Sequence, residues 1–171
     1  MKTLLSIAIL AVLEFNASDA HADSQGTATT ATYVVAGLHC PPCTRTVESS
    51  LGRTKGIKSA KVDWVAKSAK VEFDENIITA AQVADTLART PHMMGGGMKY
   101  SGTLALSVPA IQDQETGKAA TGALEKLPGV AKVTAFPASH TLTVQFKDRA
   151  KLTSAQLIEA LNQIGMHGKT Y

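Results

Sequence analysis

Cys40 and Cys43 are the only two cysteines in 171 residues, and they sit three apart in Gly37-Leu38-His39-Cys40-Pro41-Pro42-Cys43. Two thiols at that spacing have three uses. They hold a soft metal ion as thiolates, cycle between dithiol and disulfide, or close a small structural bridge. The bridge is the weakest reading, because closing so short a loop removes little entropy from the unfolded chain. A structural zinc site calls for four ligands, whereas this motif offers two thiols and no acidic residue between them. Such an open, low-coordination pair suits an ion that is passed on. Cys43 falls where an apolar run gives way to a helical pattern. It is therefore expected at a helix start, where N–H groups and the macrodipole favour an anion, with Arg45 adding positive charge nearby.

Other soft donors stand close in sequence. His39 precedes the first cysteine, and His92, Met93, Met94 and Met98 crowd the stretch PHMMGGGM. Thioethers are soft ligands that suit Cu(I), so these five residues are candidate accessory ligands. The competing reading makes His39 an exposed loop residue and the methionines gap-fillers at a domain edge. Met166-His167 repeats the theme more weakly.

The elements that position the motif occur twice. With an offset of 73 residues, Cys40 falls on Asp113, Cys43 on Thr116, Leu51 on Leu124, Gly56 on Gly129 and Phe73 on Phe146. After one inserted residue, Thr79 falls on Thr153 and Leu87 on Leu161. Each copy reads as a strand (Tyr33–Ala36; Thr103–Val108), then a helix with Val47 and Leu51, or Ala120, Leu124 and Leu127, on one face. Gly56 and Gly129 close those helices. Two alternating strands follow: Ala60, Val62, Trp64 and Ala69, Val71, Phe73 in the first copy, Val133, Ala135 and Leu142, Val144, Phe146 in the second. Thr79 and Thr153 read as N-caps of a second helix, with Val83 and Leu87, or Leu157, Leu161 and Ile164, turned inward. Fourth strands are expected near Met98–Tyr100 and Lys169–Tyr171. The class is α+β: two tandem ferredoxin-like βαββαβ domains, each an antiparallel sheet with two helices on one face. The expected boundaries are 32–90, with its fourth strand near 98–101, then a Gly/Met-containing hinge over 91–102, then 103–171. In the second copy Asp113 reads as a helix N-cap with Glu115 in the first turn, and an Asp–Thr pair cannot replace two thiolates.

GLHCPPC between a first strand and a first helix of a βαββαβ unit resembles the heavy-metal-associated domain family, whose loop reads Gly-Met-x-Cys-x-x-Cys. The resemblance spans both copies in pattern, with the metal motif in the first alone. It implies that Cys40 and Cys43 bind a soft ion, Cu(I) or Hg(II), and hand it to a partner by ligand exchange. The partner would be a metal-transporting membrane protein or another metal acceptor. Leu38 stands where the family has Met and fills similar volume. The family residue that faces the metal loop is often Tyr or Lys, and Thr90-Pro91-His92 occupies that region here. His39 and the methionines favour Cu(I). The Leu106-Ser107-Val108-Pro109 entry to the second copy leans toward the mercury-binding branch. An enzyme reading survives as a rival, a thiol-disulfide oxidoreductase using Cys-Pro-Pro-Cys, although the chain lacks the βαβ context and flanking Trp of such enzymes. The expectation is a carrier and not an enzyme.

Lys2, the apolar run Leu4–Leu13 and Ala20-His21-Ala22 read as a signal peptide over 1–22, with Asp23–Ala31 a flexible leader. The expected location is therefore the periplasm. Removing that segment takes one lysine and two acids, so the formal charge moves from +3 to +4. No Lys/Arg cluster with interleaved aromatics points to nucleic acid, and no later stretch is long and apolar enough to span a bilayer.

Overall fold

The computed structural model describes residues 28–95 and 97–171. The expected signal peptide and residues 23–27 of the expected leader lie outside them. The chain runs β1 (Ala28–Ala36), α1 (Pro41–Gly52), β2 (Ile57–Asp63), β3 (Ser68–Asp74), α2 (Ala80–Arg89), β4 (Ser101–Ser107), α3 (Gln114–Glu125), β5 (Val130–Phe136), β6 (Thr141–Phe146), α4 (Ser154–Asn162) and β7 (Lys169–Thr170). A 3₁₀ turn, Pro137–Ser139, joins β5 to β6.

All the strands belong to one seven-stranded antiparallel sheet in the order β2-β3-β1-β4-β6-β5, with β7 also on β4. β4 serves both halves. Its first residues pair with β1, Tyr33 opposite Leu104, completing the first βαββαβ unit. Its other edge pairs with β6, Leu104 opposite Val144, opening the second unit. Its last residues pair with β7, Leu106 opposite Thr170. The expected fourth strand near Met98–Tyr100 is therefore β4 itself. Residues 101–102, expected in the hinge, lie inside it. Two domains joined by a hinge are replaced by a continuous sheet, because the strand that ends one unit begins the next. β1 also starts earlier than the sequence suggested. Ala28–Ala31 pair with Val71–Asp74, so these alanines and threonines are held by ladder hydrogen bonds that a hydropathy pattern does not reveal.

Alternation sets the two faces. Ala31, Tyr33, Val35, Ala69, Val71, Phe73, Leu104, Leu106, Leu142 and Val144 are buried beneath the helices, while Lys70, Gln145 and their neighbours stand on the other face. α1 contributes Val47 and Leu51, α2 Val83 and Leu87, α3 Ala120 and Leu124, and α4 Leu157 and Leu161. Ile164, expected on the inner face of α4, lies past its end and is exposed. Trp64, expected in a strand, sits in the β2–β3 turn. Thr79 and Thr153 each form a capping box with a glutamine three residues on. Tyr33 Oη donates to Ala80 O (3.0 Å), tying β1 to the start of α2. Burial, and secondarily the charge of Glu75, raises that phenol's pKa well above the ordinary value.

The halves are also joined away from the sheet. Glu75 accepts from Ser154 N–H (2.6 Å) and Ser154 Oγ (3.1 Å) at the start of α4, and Ala81 N–H donates to Leu152 O (3.0 Å). A carboxylate at a helix N-terminus is favourably placed against the macrodipole.

Candidate metal centre

β1 ends at Ala36, and Gly37 turns the chain with φ +88°. A Cβ there would strike the carbonyl oxygen of Lys99, so glycine is required for both conformation and space. Leu38 then drops into the core, filling the position expected of it, and His39 is left exposed. Cys40 is the N-cap of α1 and Cys43 its third residue. Their Cα atoms are 5.4 Å apart, and the two are joined as a disulfide. Cys43 is buried and Cys40 half-buried. The structure thus brings the two expected ligands into direct contact, in their oxidised form.

The helix start differs from the expected anion cradle. Pro41 and Pro42 occupy the first two helical positions and carry no N–H. The next amide, Cys43 N–H, is spent on Cys40 O (3.0 Å). Cys40 consequently makes no side-chain capping bond. The sulfur at the N-cap is left without the donors that normally hold a capping side chain in place. Arg45 is exposed on α1. The cation fixed to the loop is instead Lys67, which donates from Nζ to Leu38 O (2.8 Å) and lies 3.0 Å from the Trp64 ring centroid.

Comparison of the two halves separates scaffold from site. Val35 N–H donates to Lys67 O, and Val108 N–H donates to His140 O. Lys67 reaches Leu38 O, and His140 Nδ1 reaches Ile111 O (2.6 Å). Lys67 and His140 both have φ 50°. Lys67 is therefore a strut of the first unit with His140 as its counterpart in the second. Asp113 and Thr116 stand where the cysteines stand and form the capping box expected of Asp113. Thr116 N–H donates to Asp113 Oδ1 (2.8 Å), and Asp113 N–H donates to Thr116 Oγ1 (3.2 Å). The hydrogen bonds from the Thr116 backbone and hydroxyl lower the Asp113 pKa. The same two positions are saturated in one unit and bare in the other.

One feature belongs to the first unit alone. His92, Lys99 and Tyr100 lie against the cysteine loop. His92 donates from Nε2 to Gly37 O (2.9 Å) and accepts at Nδ1 from Met94 N–H (3.2 Å). Its ring lies 5.7 Å from that of His39 and 4.6 Å from that of Tyr100. Tyr100 is buried, and its hydroxyl has no hydrogen-bond partner among the described residues. Sequence reasoning missed Tyr100, which stands eight residues beyond Thr90-Pro91-His92 and so supplies an aromatic at the loop from an unexpected place. Met93, Met94 and Met98 are exposed in the same segment. With both nitrogens of His92 engaged, the structure assembles only the two sulfurs of Cys40 and Cys43. No group of three or more His, Cys, Asp or Glu is arranged around one point among the described residues. Met166 is partly buried against the core and His167 bonds Asn162.

The arrangement is that of a ferredoxin-like unit carrying a cysteine pair just after its first strand. Residues 32–92 match the heavy-metal-associated domain, and the chain belongs to that family. It is 34% identical over 53 residues to the copper chaperone CopZ of Staphylococcus haemolyticus, covering 31% of this chain and 78% of that one. Over 116 residues, 66% of this chain, it is 26% identical to the copper-transporting ATPase HMA5 of Oryza sativa, of which it spans only 12%. Oxidized MerP from Ralstonia metallidurans CH34 is similar in structure, with a TM-score of 0.37 and 28% identity over 40% of this chain and 93% of that one.

Proposed function

We propose that the protein carries Cu(I) in the periplasm on the Cys40–Cys43 pair and passes it to a metal-transporting membrane protein or another acceptor. The observation that carries this reading is the bare helix cap. Cys40 and Cys43 meet at the N-cap and third position of α1 with no hydrogen bond to the N-cap side chain, whereas Asp113 and Thr116 close the same positions in the second unit. A thiol reductant converts the disulfide to a dithiol by thiol–disulfide exchange, giving up two electrons and two protons and itself ending as a disulfide. Cu(I) then displaces the thiol protons and binds two thiolates. Cys40, at the mouth, is the sulfur that an acceptor's ligand reaches first, while buried Cys43 keeps the ion seated during exchange. The copper chaperone relatives and the thioethers beside the loop support copper over mercury. The N-terminal apolar run and a disulfide that suits an oxidising compartment support the periplasm.

The test is a Cu(I) titration against a colorimetric Cu(I) chelator without oxygen, using reduced protein, oxidised protein and the Cys40→Ser/Cys43→Ser variant. The expected result is one tightly held equivalent in the reduced protein, with that tight equivalent missing from the other two. Equal, poor competition by all three would overturn the copper reading, and repeating the series with Hg(II) would then decide for the mercury-binding alternative. Turnover of a disulfide substrate unaffected by either metal would favour the oxidoreductase.

A further inference from the structure

We infer that Met93, Met94 and Met98 form a second, thioether site for Cu(I) that remains available when Cys40 and Cys43 are oxidised. The choice of ion rests on the copper reading; the site itself does not depend on the cysteines. Three observations carry it.

First, two backbone hydrogen bonds draw the loop together, with Gly95 N–H donating to His92 O (3.1 Å) and Met98 N–H to Gly95 O (3.3 Å). Each such bond brings the residues it joins within about 7 Å, so Met98 is held close to Gly95, and Gly95 to the His92 that Met93 and Met94 follow. Second, their side chains stand in water. Met93 is 56% exposed, Met94 59% and Met98 43%. The space around Gly95 and Gly97 is open, with nothing near where a Cβ would stand, and both have positive φ. Elsewhere the exposed large apolar residues are scattered among separate elements, as is normal for a protein surface. Three flexible thioethers on glycine turns bury nothing, so core packing does not account for them. Third, the loop goes with the thiols. The first unit joins its second helix to the next strand through residues 90–100, the second unit through residues 163–168. The unit that kept the cysteines has the long, thioether-bearing connection. The unit with Asp113 and Thr116 has the short one, whose methionine packs inward.

His92 acts here as a strut rather than a ligand. Its two ring nitrogens bind Gly37 O and Met94 N–H, which sets the thioethers beside the mouth of the cysteine loop. Neutral sulfur ligands bind Cu(I) without losing protons, and an intact disulfide has no thiolate to offer. The thioether site is therefore the part of this surface that still takes Cu(I) from an oxidising surrounding. It would be the weaker of the two sites, placed to release the ion to the thiolates once they are reduced.

The experiment uses the full chain with Cys40→Ser/Cys43→Ser, labelled at the methionine methyl groups, and titrated with Cu(I) without oxygen. The expected result is one bound equivalent, with the methyl signals of Met93, Met94 and Met98 moving together and that of Met166 staying still. Adding Met93→Leu/Met94→Leu/Met98→Leu, which keeps the apolar bulk, should weaken the binding at least about tenfold, about 1.4 kcal/mol. Still methyl signals, equal movement of Met166, or unchanged affinity in the leucine variant would overturn the inference. Failure of the cysteine reading looks different: reduced wild-type protein would then take up only this weaker equivalent.

Discussion

At the residue scale, the contrast between Cys40–Cys43 and Asp113–Thr116 shows that one backbone geometry supports two chemistries. A helix N-cap and the residue three later face each other closely enough for a capping box or for two sulfurs to meet. The choice of side chain decides which. The motif and its place were legible from residue types alone. The surroundings were not, because Tyr100 and Lys67 reach the loop through folding from 60 and 27 residues beyond Cys40, with no local signal. Tyr100 supports a direct prediction. Its buried hydroxyl has no partner among the described residues, and an unsatisfied buried polar group costs about 1–3 kcal/mol. Tyr100→Phe should therefore stabilise the metal-free, oxidised protein by about 1 kcal/mol in urea denaturation; a loss of stability would mean the hydroxyl is satisfied. Asp113 supports a second. Its pKa is lowered by the hydrogen bonds from Thr116, so its contribution is complete above the ordinary carboxylate pKa and lost as pH falls through the depressed folded value. Asp113→Asn should flatten that acid limb of the melting temperature below the ordinary carboxylate pKa. An unchanged acid limb would show that the cap does not titrate with folding.

At the element scale, the second helices were readable down to their capping threonines, since Thr-x-x-Gln carries its own hydrogen-bond logic. The edges of the strands were less so. Pairing with β3 extends β1 back to Ala28, and the turn under Lys67 takes Trp64 out of β2. The connection from α2 to β4 looked like a linker because of its glycines. Its role comes from two close approaches that composition hides. Gly37 lies against Lys99, and Gly102 lies under Leu87 of α2. Gly37→Ala should destabilise the protein by about 2 kcal/mol or more, because φ +88° and the Lys99 carbonyl both oppose a side chain. It should also release the His92 ring from Gly37 O, read as a shifted imidazole signal. Wild-type stability with an unmoved His92 would show that the loop tolerates the added carbon.

At the scale of the whole molecule, the sequence reads as a repeat, yet the sharing of β4 was not legible in it. Two copies in tandem read as two domains, because hydropathy marks which face a strand presents and says nothing of whether both of its edges are used. β4 is paired on both edges, so the unit capped at Asp113 braces the unit with the cysteines, and Tyr100 immediately precedes β4 at the end of the loop beside Gly37. Unfolding should accordingly be one cooperative event. Fluorescence of Trp64, the only tryptophan, and amide signals from β5 and β6 should report the same urea midpoint. Glu75→Ala, which strips Ser154 of its partner, should lower both midpoints together, with a loss of about 1 kcal/mol in unfolding free energy. Two separated midpoints would mean the halves fold as independent domains.

The measurement that bears most directly on the central claim is alkylation of the reduced protein, followed residue by residue in a mass spectrometer, with and without one equivalent of Cu(I). If Cys40 and Cys43 hold the ion together, that single equivalent protects both sulfurs to the same extent, and protection ends when an excess of a strong Cu(I) chelator is added. If both cysteines are modified at the same rate whether or not Cu(I) is present, they are not its ligands.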